Sequence, residues 1–571
     1  MKSVYQTRSI EIHDTACMWN PAKMEKIVDF MVRHNMNTLV FHENDIVDKL
    51  VFPSLLYKEN IQDKNIYNIF KEIYNEIYAK SPSPFVFIDE KGIFMELMRS
   101  IVRMASRKGI RVFLQSKELW HADLIYSDDR LMKDGMVCPS DPFWWETYLP
   151  AKYEELLASL PEIAGIVTST GTRESRASLA HGKCKCERCR NFNLQEWQKN
   201  IIMSIYKPIK EAGKQLVVRD FTYYADEQSG LRAGVLNLPD DIAVSIKNTP
   251  QDFYPTFPDN KLIGQVGNHE QWIEYEVMGE YFGFGVVPCV LVEDIRSRMK
   301  YALAHGAQGF TARVDWEAMP NHSAFDTINA LNVYAVAMLA KNPDLPGAEV
   351  YRAYLKEYGL FADGLDAAGE DACIAKLMEV LEQTWPVMAK TPYIKDFLFS
   401  SNSKIPANIE HGEFLALEHH GLQKWFPERK HDHDMTPENV VLFLAEKDQA
   451  LDEVNALYEL IAAGNPGLKD DFYDLLVKQF EIYRMYVEQF RAVAAVYVRV
   501  KAAALRGLDS DVYAALEELR RFEQRLGQYR LPAFEYPGTV LVSHEKVHYF
   551  RLDAEKTVAE LQKAGAQVAA P

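Results

Sequence analysis

The chain has 571 residues, which is too long for one ordinary hydrophobic core and predicts roughly two to four domains. Its hydrophobic content of 48% and charged content of 25% are typical of a globular protein and argue against long disordered tracts. A formal net charge of −17, which no basic block reverses locally, argues against a nucleic-acid partner.

The N-terminal segment and the cysteine content indicate a compartment. The first residues are polar, and no segment holds the roughly 18 continuous apolar residues that a membrane span needs. Seven cysteines are too few for a disulfide framework in a chain of this size. We therefore expect a cytoplasmic protein with reduced thiols and no membrane partner.

Up to about residue 340, short β-branched runs alternate with amphipathic helical stretches, which is the pattern of repeated βα units. The eight predicted strands lie at residues 9–13, 37–41, 111–115, 165–169, 215–219, 243–247, 273–277 and 308–313. Between strands, apolar residues recur at helical spacing, as they do over residues 24–31. Eight such units predict an α/β fold, a closed (β/α)8 TIM barrel over residues 1–342, with the long insertion at residues 52–89 forming part of its rim.

The pattern of hydrophobic residues changes after the segment NPDLP at residues 342–346. Strand-like runs become rare, and long helical patterns predict a mostly α-helical C-terminal domain over residues 343–571. The stretch 471–506 is rich in Ala, Val and Tyr at helical spacing, and it suits a helical bundle or a subunit contact.

Polar and aromatic residues follow most of the predicted strands. Barrel enzymes carry their functional groups at the C-terminal ends of the strands, so these positions form the candidate site. The set is Trp19, His42, Glu43, Lys117, Trp120, Arg219, Lys247, Asn248, Tyr281, Arg313, Asp315 and Trp316. Aromatic rings stack on sugar faces and carboxylates transfer protons, so the combination favours a carbohydrate site. Solvated charges and salt bridges at the barrel mouth would explain any single one of these residues without a site.

Two segments of the predicted barrel carry a family resemblance. Residues 246–255 read IKNTPQDFYP and residues 273–281 read IEYEVMGEY. They are similar to the motifs IKNGPIDFQP and LELQITQEY of the α-glucuronidases of glycoside hydrolase family 67. Asp252 and Glu280 are 28 residues apart, as in that family. The resemblance covers roughly residues 160–360, and the family's N-terminal domain is not found ahead of the first predicted strand.

The resemblance implies an inverting glycoside hydrolase that removes a terminal sugar, such as an α-linked glucuronic acid, from oligosaccharides. It implies a homodimer and no required cofactor. In the family the two motif carboxylates flank the attacking water, which implies Asp252 and Glu280 as the general-base pair. The family's acid follows the fourth strand, which implies Glu174 as the general acid. Inversion needs the acid and base carboxyl groups about 6.5–9.5 Å apart, so that water fits between them.

Cations that would recognise a sugar carboxylate are also implied by the resemblance. Lys247 and Arg219 stand where family 67 has a lysine and an arginine, and arginine suits bidentate carboxylate binding. The family's lysine four residues before the acid is replaced by Thr170, so Arg173 is the nearest cation. The substrate therefore stays open between glucuronic acid, another acidic sugar and a neutral sugar. A carbohydrate-binding barrel without turnover is a further alternative.

A compact group of thiols follows the fourth predicted strand. His181, Cys184, Cys186 and Cys189 supply one imidazole and three thiols, a donor set that could hold a structural zinc ion. A disulfide or free thiols would fit the same spacing. As a structural metal site, the group would fix the segment that bears Glu174; a metalloenzyme that uses this cysteine group is a further alternative.

Overall fold

The computed structural model describes residues 4–51, 90–118, 138, 140–169, 184–220, 225–413, 425–528 and 541–568. Eight parallel strands within these residues close into a barrel in chain order, which confirms the predicted fold. The strands are β1 (Thr7–Ile12), β2 (Thr38–His42), β3 (Arg111–Lys117), β4 (Gly165–Ser169), β5 (Gln215–Arg219), β6 (Ala243–Lys247), β7 (Gln271–Glu276) and β8 (Gly309–Arg313).

The strand bounds agree closely with the sequence pattern. Strands β4, β5 and β6 have the predicted bounds, whereas β3 continues two residues past its predicted end at residue 115. The extension follows from register, because Ser116 and Lys117 still pair with Thr168 and Ser169 of β4. Lys117 is therefore the last residue of a strand rather than part of a connection, and the strand fixes its position.

Apolar side chains from six of the strands pack together in one buried cluster. The buried cluster comprises Val40, Phe113, Val167, Val217, Ala243 and Trp272. The rings of Phe113 and Trp272 meet edge to face, with centroids 5.3 Å apart. Gly165 and Gly309 make this packing possible, because a Cβ would lie 2.6 Å from the Phe113 ring at Gly165 and 2.7 Å from Trp272 at Gly309. Truncating one such buried aromatic residue to alanine costs roughly 3–5 kcal/mol.

The chain divides into two compact units. The first contains most of the barrel and is called the barrel unit. It comprises Met1–Asp252, Asn260–Tyr275 and Lys300–Asn321. Its helical segments are Thr15–Met18, Pro21–Arg33, Ile46–Leu50, Glu90–Arg107, the π-helical Phe143–Tyr148, Leu149–Ser159, Glu187–Asn191, Leu194–Glu211 and Ala225–Val235.

The helix Pro21–Arg33 has a capped N-terminus and one buried apolar face. Asn20 Oδ1 accepts hydrogen bonds from the backbone N–H groups of Ala22 (3.1 Å) and Lys23 (3.2 Å), which caps the helix. Pro21 occupies the first turn, where a missing N–H costs little. The predicted apolar stripe is buried: Met24, Ile27, Val28, Phe30 and Met31.

The second compact unit comprises Phe253–Asp259, Glu276–Met299 and His322–Pro571. Its helices are Ala330–Leu339, Gly347–Glu357, Ala367–Leu381, Thr384–Met388, Ile409–Glu413, Pro437–Ala462, Asp470–Arg506, Ser510–Gln528 and His544–Val568. The helix Val292–Ala304 contributes residues to both units. These helices confirm the mostly α-helical C-terminal region, while the division at residues 342 and 343 stays a prediction.

The C-terminal helices pack as a bundle around Asp470–Arg506, which Pro437–Ala462, Ser510–Gln528 and His544–Val568 contact. The bundle was predicted from the Ala, Val and Tyr spacing of that stretch, and Phe480 and Tyr483 are fully buried in it. A short antiparallel pair, β9 (Tyr393–Ile394) and β10 (Phe397–Leu398), was not predicted. None of the described helices combines the length and apolar character that a bilayer span requires.

Candidate active site

A buried network of charges joins β1, β2 and β8 inside the barrel. Glu11 Oε1 accepts a hydrogen bond from Arg313 Nε at 2.9 Å and lies 2.7 Å from His42 Nδ1. Burial alone would raise the pKa of Glu11, but the positive charges of Arg313, Arg219 and nearby groups hold it below its usual value. Glu11 is therefore ionised, and it fixes both Arg313 and His42.

His13 stacks on His42 directly after β1. The ring centroids are 3.9 Å apart with planes 9° from parallel, and His13 Nε2 lies 2.7 Å from Glu317 Oε2. Burial and the surrounding positive charges push the pKa of His42 well below its usual value, so His42 is a neutral imidazole. Burial opposes the charge on Glu317, but its contact with His13 lowers the pKa of Glu317 to about 2.

Arg219, the last residue of β5, is bound by a carboxylate from strand β7. Arg219 Nε donates to both carboxylate oxygens of Glu274 at 2.8 Å, and Nη2 lies 2.7 Å from Oε2. Ser245 Oγ donates to the same carboxylate at 2.7 Å. The resemblance predicts that Arg219 meets a substrate carboxylate, and in this structure its guanidinium already holds one from β7 in a bidentate pair.

Lys117 lies among other cations at the end of β3. Burial and the charges of Arg219, Arg313 and Lys247, partly offset by Glu317, lower the pKa of Lys117 to about 7. Like charges gathered in a buried place cost free energy unless an anion joins them. These surroundings disfavour the charged form of Lys117.

The predicted base Asp252 is held by a strained turn after β6. Lys247 Nζ donates to Asp252 Oδ1 at 2.5 Å, and Thr249 Oγ1 donates to the Asp252 carbonyl at 2.6 Å. Asp252 has a φ of 41°, in the left-handed region that few residues other than glycine adopt. Asn260 Nδ2 ties the same turn to the carbonyls of Lys247 and Thr249. Strain that neighbouring bonds maintain is typical of functional positions.

Burial raises the pKa of several carboxyl groups of the barrel unit, among them Asp315 and Asp220. Burial raises the pKa of Asp315 to about 8, although its Oδ1 accepts the His13 backbone N–H at 2.6 Å. Burial raises the pKa of Asp220 to about 6, opposed by a hydrogen bond from Gln228. Asp315 therefore stays protonated at neutral pH, which is the state a general acid needs.

Several buried polar atoms lack a hydrogen-bond partner among the described residues. Seven of them sit at the C-terminal strand ends, or within two residues of them: His42 Nε2, Asn44 Oδ1, Gln115 Nε2, Thr168 Oγ1, Ser169 Oγ, Asn248 Oδ1 and Asp315 Oδ2. Others, such as Trp197 Nε1, Gln198 Oε1 and His433 Nδ1, lie elsewhere. Buried polar groups in proteins are nearly always bonded, so a concentration of exceptions marks a place that water or a ligand fills. A sugar, with hydroxyl groups that both donate and accept, matches this mixed set.

The remaining predicted site residues of the barrel unit have individual surroundings. Glu43 is buried and pairs with Lys49, which opposes the rise in its pKa that burial causes. Trp19 packs against Phe94 with ring centroids 4.7 Å apart, and Trp316 is buried. Trp120, Arg173, Glu174 and His181 lie outside the described residues.

Glu280 and Tyr281 belong to the second compact unit. The Glu280 carbonyl accepts the backbone N–H of Ser403 at 2.8 Å, and the Tyr281 carbonyl accepts the Tyr393 hydroxyl at 2.9 Å. Glu276, at the end of β7, accepts backbone N–H bonds from Gly279 and Glu280. The backbone of the predicted base Glu280 is thus fixed by Glu276, which the sequence did not single out.

The three predicted thiols converge with a fourth. The Sγ atoms of Cys138, Cys184, Cys186 and Cys189 all lie within 4.8 Å of one another. Cys138 was not predicted as a member of this group. Its separation of 48 residues from Cys186 hides it from any local spacing motif.

Comparisons with known proteins bear on this fold. No family model and no curated protein matches the sequence. Among solved structures, a GH138 enzyme targeting pectin rhamnogalacturonan II matches with a TM-score of 0.55 and 12% identity, over 92% of this chain and 62% of that enzyme. The likeness shows a shared fold. The chain spans less than two thirds of that enzyme's length.

Two further structures are more distant. A family 89 glycoside hydrolase from Clostridium perfringens matches with a TM-score of 0.49 and 12% identity, over 92% of this chain and 54% of that one. An O-GlcNAc hydrolase from Thermobaculum terrenum matches with a TM-score of 0.42 and 12% identity, over 98% and 97%. None of these three structures is named as a family 67 enzyme, and the α-glucuronidase resemblance stays a prediction.

Proposed function

We propose that the chain is a glycoside hydrolase with its active site at the C-terminal end of the barrel. The observation that carries the proposal is the concentration of buried acids, bases and unbonded polar atoms at that one end of the strands. Barrel enzymes place their chemistry there, and glycoside cleavage needs only carboxyl groups in different protonation states.

The water-activating base is assigned to Asp252, and Glu280 keeps its part in the base pair only as the family resemblance implies. The Lys247 ammonium 2.5 Å from Asp252 Oδ1 favours an ionised carboxylate electrostatically, which suits a base and not an acid. The strained turn holds this carboxylate in one orientation, which is what activation of a single water molecule demands. Hydrolysis with inversion of the anomeric centre follows from this assignment.

The proton donor to the leaving oxygen is Glu174, by the family resemblance. Asp315 is a described carboxyl group whose pKa of about 8 keeps it protonated at neutral pH, and it is the competing donor. The two assignments separate experimentally, because loss of a general acid slows substrates with poor leaving groups far more than activated aryl glycosides. The Glu174→Gln variant should show that dependence, and Asp315→Asn should not.

The proposed substrate carries a carboxylate, as an α-linked glucuronic acid does. Arg219, Arg313 and Lys247 are matched by carboxylates of the barrel unit. Burial and the neighbouring cations lower the pKa of Lys117, so a sugar carboxylate beside Lys117 would favour its charged form. The substrate contact is therefore assigned to Lys117, and Arg219 is assigned to its pair with Glu274.

A hydrolysis screen tests the proposed function. Aryl glycosides of neutral sugars and of uronic acids, and oligosaccharides capped by a uronic acid, are incubated with the protein, and the released sugar is measured. Turnover of the uronides above the neutral compounds is expected. Sugar binding by calorimetry without turnover of any compound would instead identify a carbohydrate-binding barrel and contradict the proposal.

A further inference from the structure

Four cysteine sulfurs form a compact group in the barrel unit. Cys138 Sγ lies 3.7 Å from Cys186 Sγ, 3.6 Å from Cys189 Sγ and 3.7 Å from Cys184 Sγ. Zinc bound by thiolates has Zn–S bonds of about 2.3 Å, and a tetrahedron of that radius has edges of about 3.8 Å. The observed sulfur separations match that edge.

Other uses of these thiols fit the geometry less well. A disulfide needs sulfurs about 2.05 Å apart, and all four cysteines are free. An iron–sulfur cluster binds its thiolates through separate iron atoms, which would spread them wider than one tetrahedron. A single four-coordinate ion explains why four sulfurs from two parts of the chain approach one point.

Groups around the sulfurs support metal binding. Cys186 Sγ accepts the Cys189 backbone N–H at 3.3 Å, a bond that stabilises a thiolate. Ser140 Oγ lies 3.1 Å from Cys189 Sγ and 3.4 Å from Cys138 Sγ. Cys138 and Cys189 are buried, whereas Cys184 and Cys186 are partly exposed, which leaves an entry path for the ion.

We propose that Cys138, Cys184, Cys186 and Cys189 bind one structural Zn²⁺ as four thiolates. Each thiol releases its proton to solvent when the ion binds. Four protein ligands close the coordination sphere, so the site is structural and leaves no position for substrate. The donor set is complete without His181, which the sequence had suggested as the fourth ligand.

The position of the site in the chain gives it a consequence. Cys138 comes after β3 and the other three cysteines come after β4. The ion would therefore cross-link two segments of the chain that follow adjacent strands. One begins after residues 119–137, which follow β3, and the other begins after residues 170–183, which follow β4. Glu174 lies in the second of these stretches, so the zinc would anchor the chain shortly after the proposed acid.

Metal analysis of the full chain, purified under reducing conditions without a histidine tag, tests the proposal. We expect one zinc per chain in the parent protein and at least a tenfold loss of bound zinc in Cys138→Ser. The control is Cys373→Ser, a buried free thiol of the second unit, which should keep its zinc. Zinc retained in Cys138→Ser but lost in His181→Ala would overturn the assignment of the fourth ligand.

Cobalt substitution keeps the test decisive if the variants fail to fold. Co²⁺ added to the parent protein after chelation should give the sulfur-to-metal charge-transfer band and the visible d–d absorption of a tetrahedral tetrathiolate site. Iron as the native metal would overturn the assignment of zinc. A parent protein that holds no metal, and that neither zinc nor cobalt stabilises against heat, would overturn the site itself.

Discussion

Lys247 Nζ lies 2.5 Å from Asp252 Oδ1, and Asp252 keeps this contact from a left-handed backbone conformation with a φ of 41°. The cation is the last residue of β6, and the anion is five residues further along the chain. A rigid strand end therefore holds the ammonium, and a short strained turn presents the carboxylate to it. The pair is the most sharply defined feature of the candidate active site.

The Asp252→Asn variant should lose turnover roughly 10²- to 10⁴-fold, because the base disappears while the turn remains. Asparagine tolerates a positive φ, so we expect the thermal unfolding midpoint to change little. Asp240→Asn, on the exposed approach to β6, is the matched control and should keep full activity. An active Asp252→Asn enzyme would rule Asp252 out as the base.

Lys117 predicts a pH dependence of substrate selection. The pKa of about 7 means that Lys117 is cationic below neutral pH and loses its charge as the pH rises through 7. The kcat/KM for a uronide should therefore fall above about pH 7. The kcat/KM for a neutral glycoside should not follow that curve.

The Lys117→Met variant should raise KM for the uronide roughly 10- to 100-fold and abolish this pH dependence. Lys261→Met, at an exposed position of the barrel unit, is the control and should leave both unchanged. An unchanged KM in Lys117→Met would move the carboxylate contact to another cation.

Asp315 predicts how stability changes with pH. Its pKa is raised from 3.8 to about 8 by burial, so the folded state binds the proton more tightly than the unfolded state does. The wild type should thus lose stability between about pH 4 and pH 8, as the unfolded carboxyl group ionises first. Asp315→Asn removes that loss. The free energy of unfolding of the variant relative to the wild type, measured by urea denaturation, should therefore rise from pH 5 to pH 8. A constant difference between the two proteins would show that Asp315 is ionised when folded.

The C-terminal bundle predicts a homodimer. Leu505 is 72% exposed at the end of the helix Asp470–Arg506, and Val441 is 66% exposed on Pro437–Ala462. Sedimentation equilibrium should give twice the chain mass, and Leu505→Arg should weaken the association. Leu236→Arg, on an exposed leucine of the barrel unit, is the control. A monomer at micromolar concentration would contradict this prediction.

Much of the barrel could be predicted from sequence because each strand is a short buried run with a clear boundary. Strands β4, β5 and β6 have the predicted bounds. Side chains at strand ends were predicted for the same reason, and His42, Lys117 and Arg313 do meet in one charge network. Strand position alone places such residues at one end of the barrel.

Residues that act through distant partners were missed. Glu11 lies inside β1 and contacts Arg313, 302 positions away, so no local motif marks it. The polar residues at alternating positions 9, 11 and 13 carried a signal, because alternate residues of a strand share one face. Cys138 gave no such signal, since its partners are brought to it only by the neighbouring placement of β3 and β4.

Proton NMR of the first sugar released from a turned-over glycoside tests the central claim most directly. Water attacking from the Asp252 side, opposite the departing oxygen, must give the anomer inverted from that of the substrate. The account predicts the inverted anomer in the first spectra, with the other anomer appearing only later by mutarotation. A first-formed product that keeps the substrate's configuration would show two successive displacements at the anomeric carbon and contradict the assignment.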